Sequence, residues 1–378
     1  MSLYLIVSMF LVGGAVFEFV KKQTPKIFYY ISFAALTVML CLRYGQGTDY
    51  ISYADIYAAI PANFFEIFSS KTVHSEFGWK ILCWLFRTVN TPFPAFVAIL
   101  SLVEMAMLFL FVNEFCKNKV LALTLGYHTL YLTYFFSIMR QGLVIALFIG
   151  IMLDWIIQKK YIRYVILSLL CATIHTASLL LLIVPIVNTK FLAKLKWQLI
   201  LVGVAWGFGV LISSGALDAV LPVILPSRIY MYLTTRKESI SLFAVIERIL
   251  SFGVIFFSYW YCIKTGEENA EAYTTLIRIA TIGMIIYGGF IWQPMIASRL
   301  SYVFKVVEIG IFCGLLLNHR MFSKLKITYL LCLVLIMLVK NIDSYIYQGL
   351  YFESINVFNY PYISIFDMGN IVKYRSIK

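Results

Sequence analysis

The chain has 378 residues, of which 62% are hydrophobic and 13% are charged, and its formal net charge is +13. Soluble globular domains contain about 25% charged residues, so this composition excludes an ordinary soluble domain and predicts an integral membrane protein. Lysines and arginines cluster at the ends of apolar runs, where anionic lipid headgroups attract them. We therefore expect the lipid bilayer, and no nucleic acid, as the partner of the positive charge.

Apolar runs long enough to cross about 30 Å of hydrocarbon recur along the whole sequence. No hydrophilic block is large enough to form a second domain. We therefore predict an all-α fold, a polytopic integral membrane protein in which residues 1–378 form a single transmembrane domain. About ten full spans are expected, at residues 3–20, 27–42, 95–115, 120–136, 138–157, 197–214, 243–263, 275–292, 298–317 and 327–342.

Basic residues in short loops favour the cytoplasmic side of a membrane, and the short basic loops of this chain can all share that side on two conditions. First, residues 76–90 must form an interfacial helix, because this short segment contains a glutamate, a lysine and an arginine. Second, residues 164–187 must form a broken re-entrant helix pair that meets near His175, each half being about 18 Å long. Loops 43–94 and 215–242 then lie outside, together with both termini.

In this topology, polar side chains from distant parts of the sequence gather at the outer face of the membrane. Most of them begin or end an apolar run, so we predict that one outward pocket collects them. They are Arg43 and Asp49 after the second span, Glu76 before the interfacial helix, Arg140 and Gln141 at the start of the fifth span, His175 at the helix break, Arg228 in loop 215–242, and Arg299 at the start of the span at 298–317.

Each of these residues also has an ordinary structural interpretation. An arginine at a span end often extends into the headgroup region, but Arg140 lies in a tight turn between two apolar runs, where burying its charge costs up to about 2.5–3.5 kcal/mol. A lone histidine such as His175 is more often a hydrogen-bonded core group, although a helix break inside a membrane must line protein or water. Glu76 could simply cap the helix that follows it.

The stretch "RYGQGTDYISY", residues 43–53, combines glycines, carboxylates and tyrosines. Gly45 and Gly47 permit positive φ and a close backbone approach to a ligand, but they do not form a GxxxxGK phosphate loop. Asp49 lies in no recognised metal motif, and the seven cysteines of the chain have no metal-ligand spacing, so we predict neither a metal site nor a cofactor. Tyr53 is expected in an aromatic belt or stacked on a sugar ring.

We interpret Arg87, further along the same loop, as a solvated or lipid-facing charge.

Five motifs in this order resemble a known family. They are "RYGQGTDYISY", the glutamate that begins "EFGW", "MRQGLVIAL", "ATIHTASLLLL" and "SRLSYVF", between about residues 41 and 305. In these motifs the chain resembles the EpsG branch of the Wzy-type polysaccharide polymerases.

The resemblance implies a multi-pass enzyme of the bacterial plasma (inner) membrane, with a GT-C-like fold and an active site that faces the periplasm or the outside. Such an enzyme joins undecaprenyl-diphosphate-linked oligosaccharide repeat units into O-antigen, capsule or exopolysaccharide, with a chain-length regulator as a partner. The resemblance implies that the site residues in this sequence are Arg43, Asp49, Glu76, Arg140, Gln141, His175 and Arg299.

Arginines suit the charge that develops on a departing diphosphate, so we expect a metal-independent glycosyltransferase. For the general base, His175 is favoured by its intrinsic pKa, with Asp49 or Glu76 as alternatives. Other functions stay open: a lipid-linked oligosaccharide flippase or other transporter, an O-antigen ligase, and a membrane acyltransferase.

Overall fold

A computed structural model describes residues 2–69, 75–216, 221–224, 230–231, 242–265, 270–315, 328, 331–332, 334–336 and 361–369. These residues form helices and no strands, which confirms the all-α prediction within this part of the chain. The α-helices are α1 Leu3–Lys21, α2 Lys26–Leu42, α3 Tyr50–Ala59, α4 Glu66–Ser69, α5 Phe77–Thr88, α6 Phe93–Phe115, α7 Lys119–Gly126, α8 Met139–Leu147, α9 Leu153–Ile157, α10 Tyr161–Ile174, α11 Leu195–Ser213, α12 Leu221–Ile224, α13 Leu242–Thr265, α14 Ala270–Gly289, α15 Pro294–Lys305 and α16 Glu308–Leu315. Two π-helices, Tyr127–Phe135 and Phe148–Met152, and a 3₁₀-helix, Thr176–Asn188, continue or connect them.

Five helical stretches of the described residues are long and apolar enough to cross a membrane. Three apolar helices, namely α2, α10 and the 3₁₀-helix, are shorter. The prediction of about ten full spans is therefore not confirmed, and most of the predicted span 327–342 lies outside the described residues. The five stretches are Leu3–Lys21, Phe93–Phe115, Met139–Ile157, Leu195–Ser213 and Leu242–Tyr261.

The helices run alternately between two ends of the bundle. At one end, Tyr4 of α1 donates a hydrogen bond to Gln46, which follows α2. At the other end, the carboxylate of Glu18 in α1 accepts a bond from the backbone N–H of Leu121 in α7. Residues 361–367 return to the first end, where a bridge pairs Ser364 with the chain just after α2. This described part of the C-terminal region therefore lies beside the beginning of the 43–94 segment.

Residues 164–187 form two helices that meet at a break, as the sequence indicated. α10 ends at Ile174, His175 has an extended backbone with φ −148° and ψ 109°, and the 3₁₀-helix begins at Thr176. The two helices are antiparallel, because the hydroxyl of Tyr164 donates to the carbonyl oxygen of Leu181 over 2.9 Å. The re-entry of this pair into a membrane stays a prediction.

Segment 43–94 contains the short helix that was expected at 76–90. This helix, α5, begins at Phe77 and buries Trp79 and Cys83, while Leu85 on its other face is exposed. Trp79 packs against aromatic rings of α3 and α6. An amphipathic helix of this kind fits an interfacial position.

Candidate functional site

The candidate site is centred on an ion pair between two distant parts of the chain. Nη1 of Arg140, the second residue of α8, donates to Oε2 of Glu76, which precedes α5. The same Nη1 donates to the hydroxyl of Ser75 over 3.2 Å. The two charged side chains are 23% and 22% exposed, so the pair is partly accessible. Nη2 of Arg140 makes no hydrogen bond to any residue that the structure describes.

Glu76 also contacts the helix break at His175. Its Oε1 accepts from the backbone N–H of Thr176 over 3.3 Å and from the Thr176 hydroxyl over 3.5 Å. Nδ1 of His175 lies 3.7 Å from the same oxygen, which is beyond hydrogen-bond length but within ion-pair range. Glu76 occupies the N-cap position of α5 but makes no capping bond there. The Glu76 carboxylate therefore bonds to Arg140 and Thr176 and not to the backbone of α5.

The environment of Glu76 favours its charged form. Burial raises the pKa of this carboxyl group, but the interaction with the His175 ring and the charge of Arg140 outweigh it and lower the pKa to about 2. Glu76 is therefore ionised at neutral pH and is a weak base.

Tyr53 completes the contacts of Arg140, and Asp49 lies near enough to act on it through its charge. The Arg140 guanidinium lies over the Tyr53 ring, 5.5 Å from its centroid, and Nε is 3.5 Å from the Tyr53 hydroxyl. Asp49 directly precedes α3, which carries Tyr53, and its charge acts electrostatically on Arg140. The structure thus brings together Asp49, Tyr53, Glu76, Arg140 and His175.

The glycines of the 43–53 stretch permit this approach of the loop to α8. Gly45 and Gly47 have φ values of 63° and 93°, as the sequence indicated. A Cβ atom on Gly47 would lie 2.6 Å from the carbonyl oxygen of Phe136 and 2.8 Å from the Cα atom of Ser137. The close backbone approach of Gly47 is therefore to the turn before Arg140, and the approach of this loop to a ligand stays a prediction.

Gln141 connects this site to α15. Its Nε2 atom donates to the backbone oxygen of Arg299 over 2.6 Å, and its buried Oε1 atom has no hydrogen-bond partner among the described residues. The Arg299 side chain is exposed. Tyr302, on the same helix, stacks on Tyr134 with ring centroids 3.9 Å apart. The backbone of Arg299 is thus next to the site, and its side chain is accessible.

Arg43 does not join this group of side chains. Its side chain is 1% exposed and donates to the carbonyl oxygens of Leu40 and Phe135 and to the Ser101 hydroxyl, over 2.6 to 2.9 Å. The backbone of Arg43 forms an isolated antiparallel bridge with Ser364. These contacts give Arg43 a role in joining α2, α6 and the end of the first π-helix, and they place it outside the outward pocket expected from the sequence. Arg228 lies outside the described residues.

Arg87 has a specific structural position, so its interpretation as a solvated or lipid-facing charge is wrong. Its Nη1 atom donates to the backbone oxygens of Tyr57, Ala58 and Ile60, where α3 ends. A cation at the last carbonyl groups of a helix stabilises that end. Arg87 therefore fixes α3, the helix that carries Tyr53.

A buried ion-pair network that was not predicted from the sequence lies further along α15. Glu247 of α13 pairs with Lys305 and, over 3.1 Å, with Arg248. Glu308 of α16 lies 3.4 Å from Nζ of Lys305, and the Arg248 guanidinium lies 4.3 Å from the Tyr287 ring centroid. All four charged side chains are buried. The available signal was the presence of charges within apolar runs, with Lys305 and Glu308 spaced to share one helix face.

Among the described residues, no three His, Cys, Asp or Glu side chains lie close enough together to hold a metal ion. No curated protein and no solved structure matches the chain significantly. A family model described as the EpsG family matches residues 26–364, a range that contains every residue of the candidate site. The chain belongs to the EpsG family.

Proposed function

We propose that this protein is a polysaccharide polymerase, a glycosyltransferase that joins lipid-linked oligosaccharide repeat units at the outer face of the bacterial plasma membrane. Membership of the EpsG family suggests the polymerase role. The lipid carrier is undecaprenyl diphosphate, and a hydroxyl group of a second lipid-linked repeat unit is the acceptor. A chain-length regulator is the proposed protein partner.

In the proposed reaction, the acceptor oxygen attacks the anomeric carbon of the donor glycan. The bond between this carbon and the diphosphate oxygen breaks, and its electron pair leaves with undecaprenyl diphosphate. Arg140 stabilises that charge through Nη2, the edge of its guanidinium that makes no bond to a described residue. Arg299 contributes a second guanidinium from the neighbouring helix. These two cations take the place that a metal ion has in other transferases, so the reaction proceeds without metal in a GT-C-like fold.

His175 accepts the proton of the attacking hydroxyl at Nε2. Its Nδ1 atom faces the Glu76 carboxylate over 3.7 Å, and a carboxylate in this position stabilises the imidazolium that forms. The low pKa of Glu76 makes it a poor proton acceptor, so we assign it to the positioning of His175 rather than to the base. Tyr53, Asp49 and Gln141 orient Arg140 and the saccharide.

The observation that carries this proposal is the convergence of Arg140, Glu76 and His175 from three separate segments. A strain that lacks the chromosomal copy tests it after complementation with wild type, Arg140→Gln or His175→Asn. We expect the wild type alone to restore long glycan ladders, whereas the variants leave single-repeat material. Full ladders from both variants would exclude the site. Precursor retained inside the cell would indicate a flippase instead.

A further inference from the structure

The carboxylate of Glu76 lies in a site formed by hydrogen-bond donors from two different helices. Arg140 approaches its Oε2 atom, and the N–H and hydroxyl groups of Thr176 approach Oε1 over 3.3 Å and 3.5 Å. The Arg140–Glu76 pair keeps about a fifth of its surface exposed. A group that arrives from outside can therefore reach the same donors.

Two features of these donors suit an anion. Thr176 is the first residue of a 3₁₀-helix of 13 residues, and the first N–H groups of a helix have no partner inside it and carry partial positive charge. Arg140 adds a full positive charge on the other side of the carboxylate. Phosphate oxygens use the same kinds of donors as carboxylates.

We infer that Thr176 and Arg140 form a subsite for a phosphate oxygen of the substrate, which the Glu76 carboxylate fills in the empty protein. This inference rests on the proposed function. A diphosphate carries more negative charge than one carboxylate and displaces it from Arg140 and Thr176. Glu76 then remains beside His175, where it stabilises the protonated ring, so that substrate binding prepares the base.

Binding measurements with the full-length protein in detergent test the subsite without depending on turnover. The probes are geranyl diphosphate and inorganic diphosphate, each measured by calorimetry. Thr176→Pro removes the backbone N–H, and the extended conformation of His175 (φ −148°, ψ 109°) is close to the one that a residue before proline prefers. Thr176→Val removes only the hydroxyl. Thr189→Val, at the far end of the same 3₁₀-helix, is the matched control.

Loss of one donor to a charged group weakens binding about 10-fold, so we expect about that loss for Thr176→Pro and a smaller loss for Thr176→Val. Glu76→Gln removes the competing carboxylate and should tighten binding about 10-fold. Thr189→Val should bind like the wild type. Equal affinity for both probes identifies the diphosphate group as the ligand, and preference for geranyl diphosphate identifies a lipid-linked one.

Two results would overturn the inference. If Glu76→Gln weakens binding as much as Arg140→Gln does, the carboxylate belongs to the binding site and does not compete for it. If both Thr176 variants bind the probes like the wild type, Thr176 is not part of the subsite. In either case the proposed function survives as long as Arg140→Gln weakens binding. Absence of binding to the wild type would overturn the proposed function as well.

Discussion

Glu76 and Arg140 lie 64 residues apart in the sequence, and their ion pair joins the 43–94 segment to the first turn of α8. The same carboxylate contacts Thr176 at the beginning of the 3₁₀-helix. One side chain thereby holds three segments at a common point. This arrangement places the guanidinium that we assign to the leaving group beside the histidine that we assign to the base.

Replacing Arg140 by glutamine should slow polymerisation about 100- to 1,000-fold, the usual effect of removing one preorganised donor from developing negative charge. Arg140→Lys should recover only part of the rate, because an ammonium cannot reproduce the fork of the guanidinium. The measurement is the rate of chain extension by purified protein from lipid-linked repeat units. Arg163→Gln is the control, since Arg163 is exposed at the opposite end of the bundle. Equal rates for Arg140→Gln and this control would contradict the prediction.

Lowering the pH should destabilise the folded protein by protonating Glu76. Its pKa is about 2 in the folded protein and 4.5 as an ordinary carboxyl group, so the stabilisation is complete above about pH 4.5 and is lost as the pH falls towards 2. With part of the pair exposed to solvent, we expect a contribution of about 2 kcal/mol. Thermal unfolding in detergent should show a larger drop for the wild type than for Glu76→Gln between about pH 5 and about pH 3. Parallel curves for the two proteins would contradict this.

Part of the site could be predicted from local sequence alone. Polar residues around His175 interrupt the apolar run 164–187, and the sequence therefore predicted two helices in place of one span. The helix does end at this point, and a second one begins there. Glu76 and Arg140 were expected at the same end of the bundle because the topology that places the short basic loops inside puts both residues at the outer face. Their direct contact could not be predicted, because it depends on how α5 and α8 pack together.

Other features depend on contacts between parts of the chain that are far apart in sequence. Arg43 was expected in the outward pocket because nothing nearby in sequence shows that α6 and residues 361–367 cover it. Likewise, the sequence around Arg87 does not indicate that its side chain bonds to the end of α3. Both arginines satisfy backbone carbonyl groups, whose positions exist only in the folded protein.

Gly47→Ala should impair both stability and polymerisation. The added Cβ atom meets the carbonyl oxygen of Phe136 at 2.6 Å, and the backbone φ of 93° is unfavourable for alanine. Strain of this kind costs about 1–3 kcal/mol. Gly203→Ala is the matched control: Gly203 lies within α11 with nothing within 4 Å of its Cβ position, so alanine should stabilise the helix slightly. Thermal unfolding of both variants checks the prediction, which fails if they unfold at the same temperature.

The pairing of residues 361–367 with the chain after α2 predicts that this part of the C-terminal region is accessible from outside the cell. Phe366 and Phe65 are 79% and 78% exposed, and Ile162, near the opposite end of the bundle, is 78% exposed. Cysteine at each position, in a background without the native cysteines, should react with a membrane-impermeant maleimide at 366 and 65 but not at 162. Labelling at 162 and not at 366 would reverse the orientation.

The ion-pair network provides a test of buried charge balance. Lys305→Met leaves Glu308 without its cation inside the bundle, and removal of one member of a buried pair costs about 3–5 kcal/mol. The double variant Lys305→Met/Glu308→Gln restores neutrality and keeps the Glu247–Arg248 pair, so it should recover most of the lost stability.

Chemical unfolding in mixed micelles compares the single and double variants with Lys194→Met, in which the replaced lysine is exposed. The control should change the free energy of unfolding by less than about 0.5 kcal/mol. If the double variant is no more stable than Lys305→Met, the geometry of the lysine matters rather than its charge. In that case Lys305 would fix α15, and with it Arg299, through direct contact with Glu247.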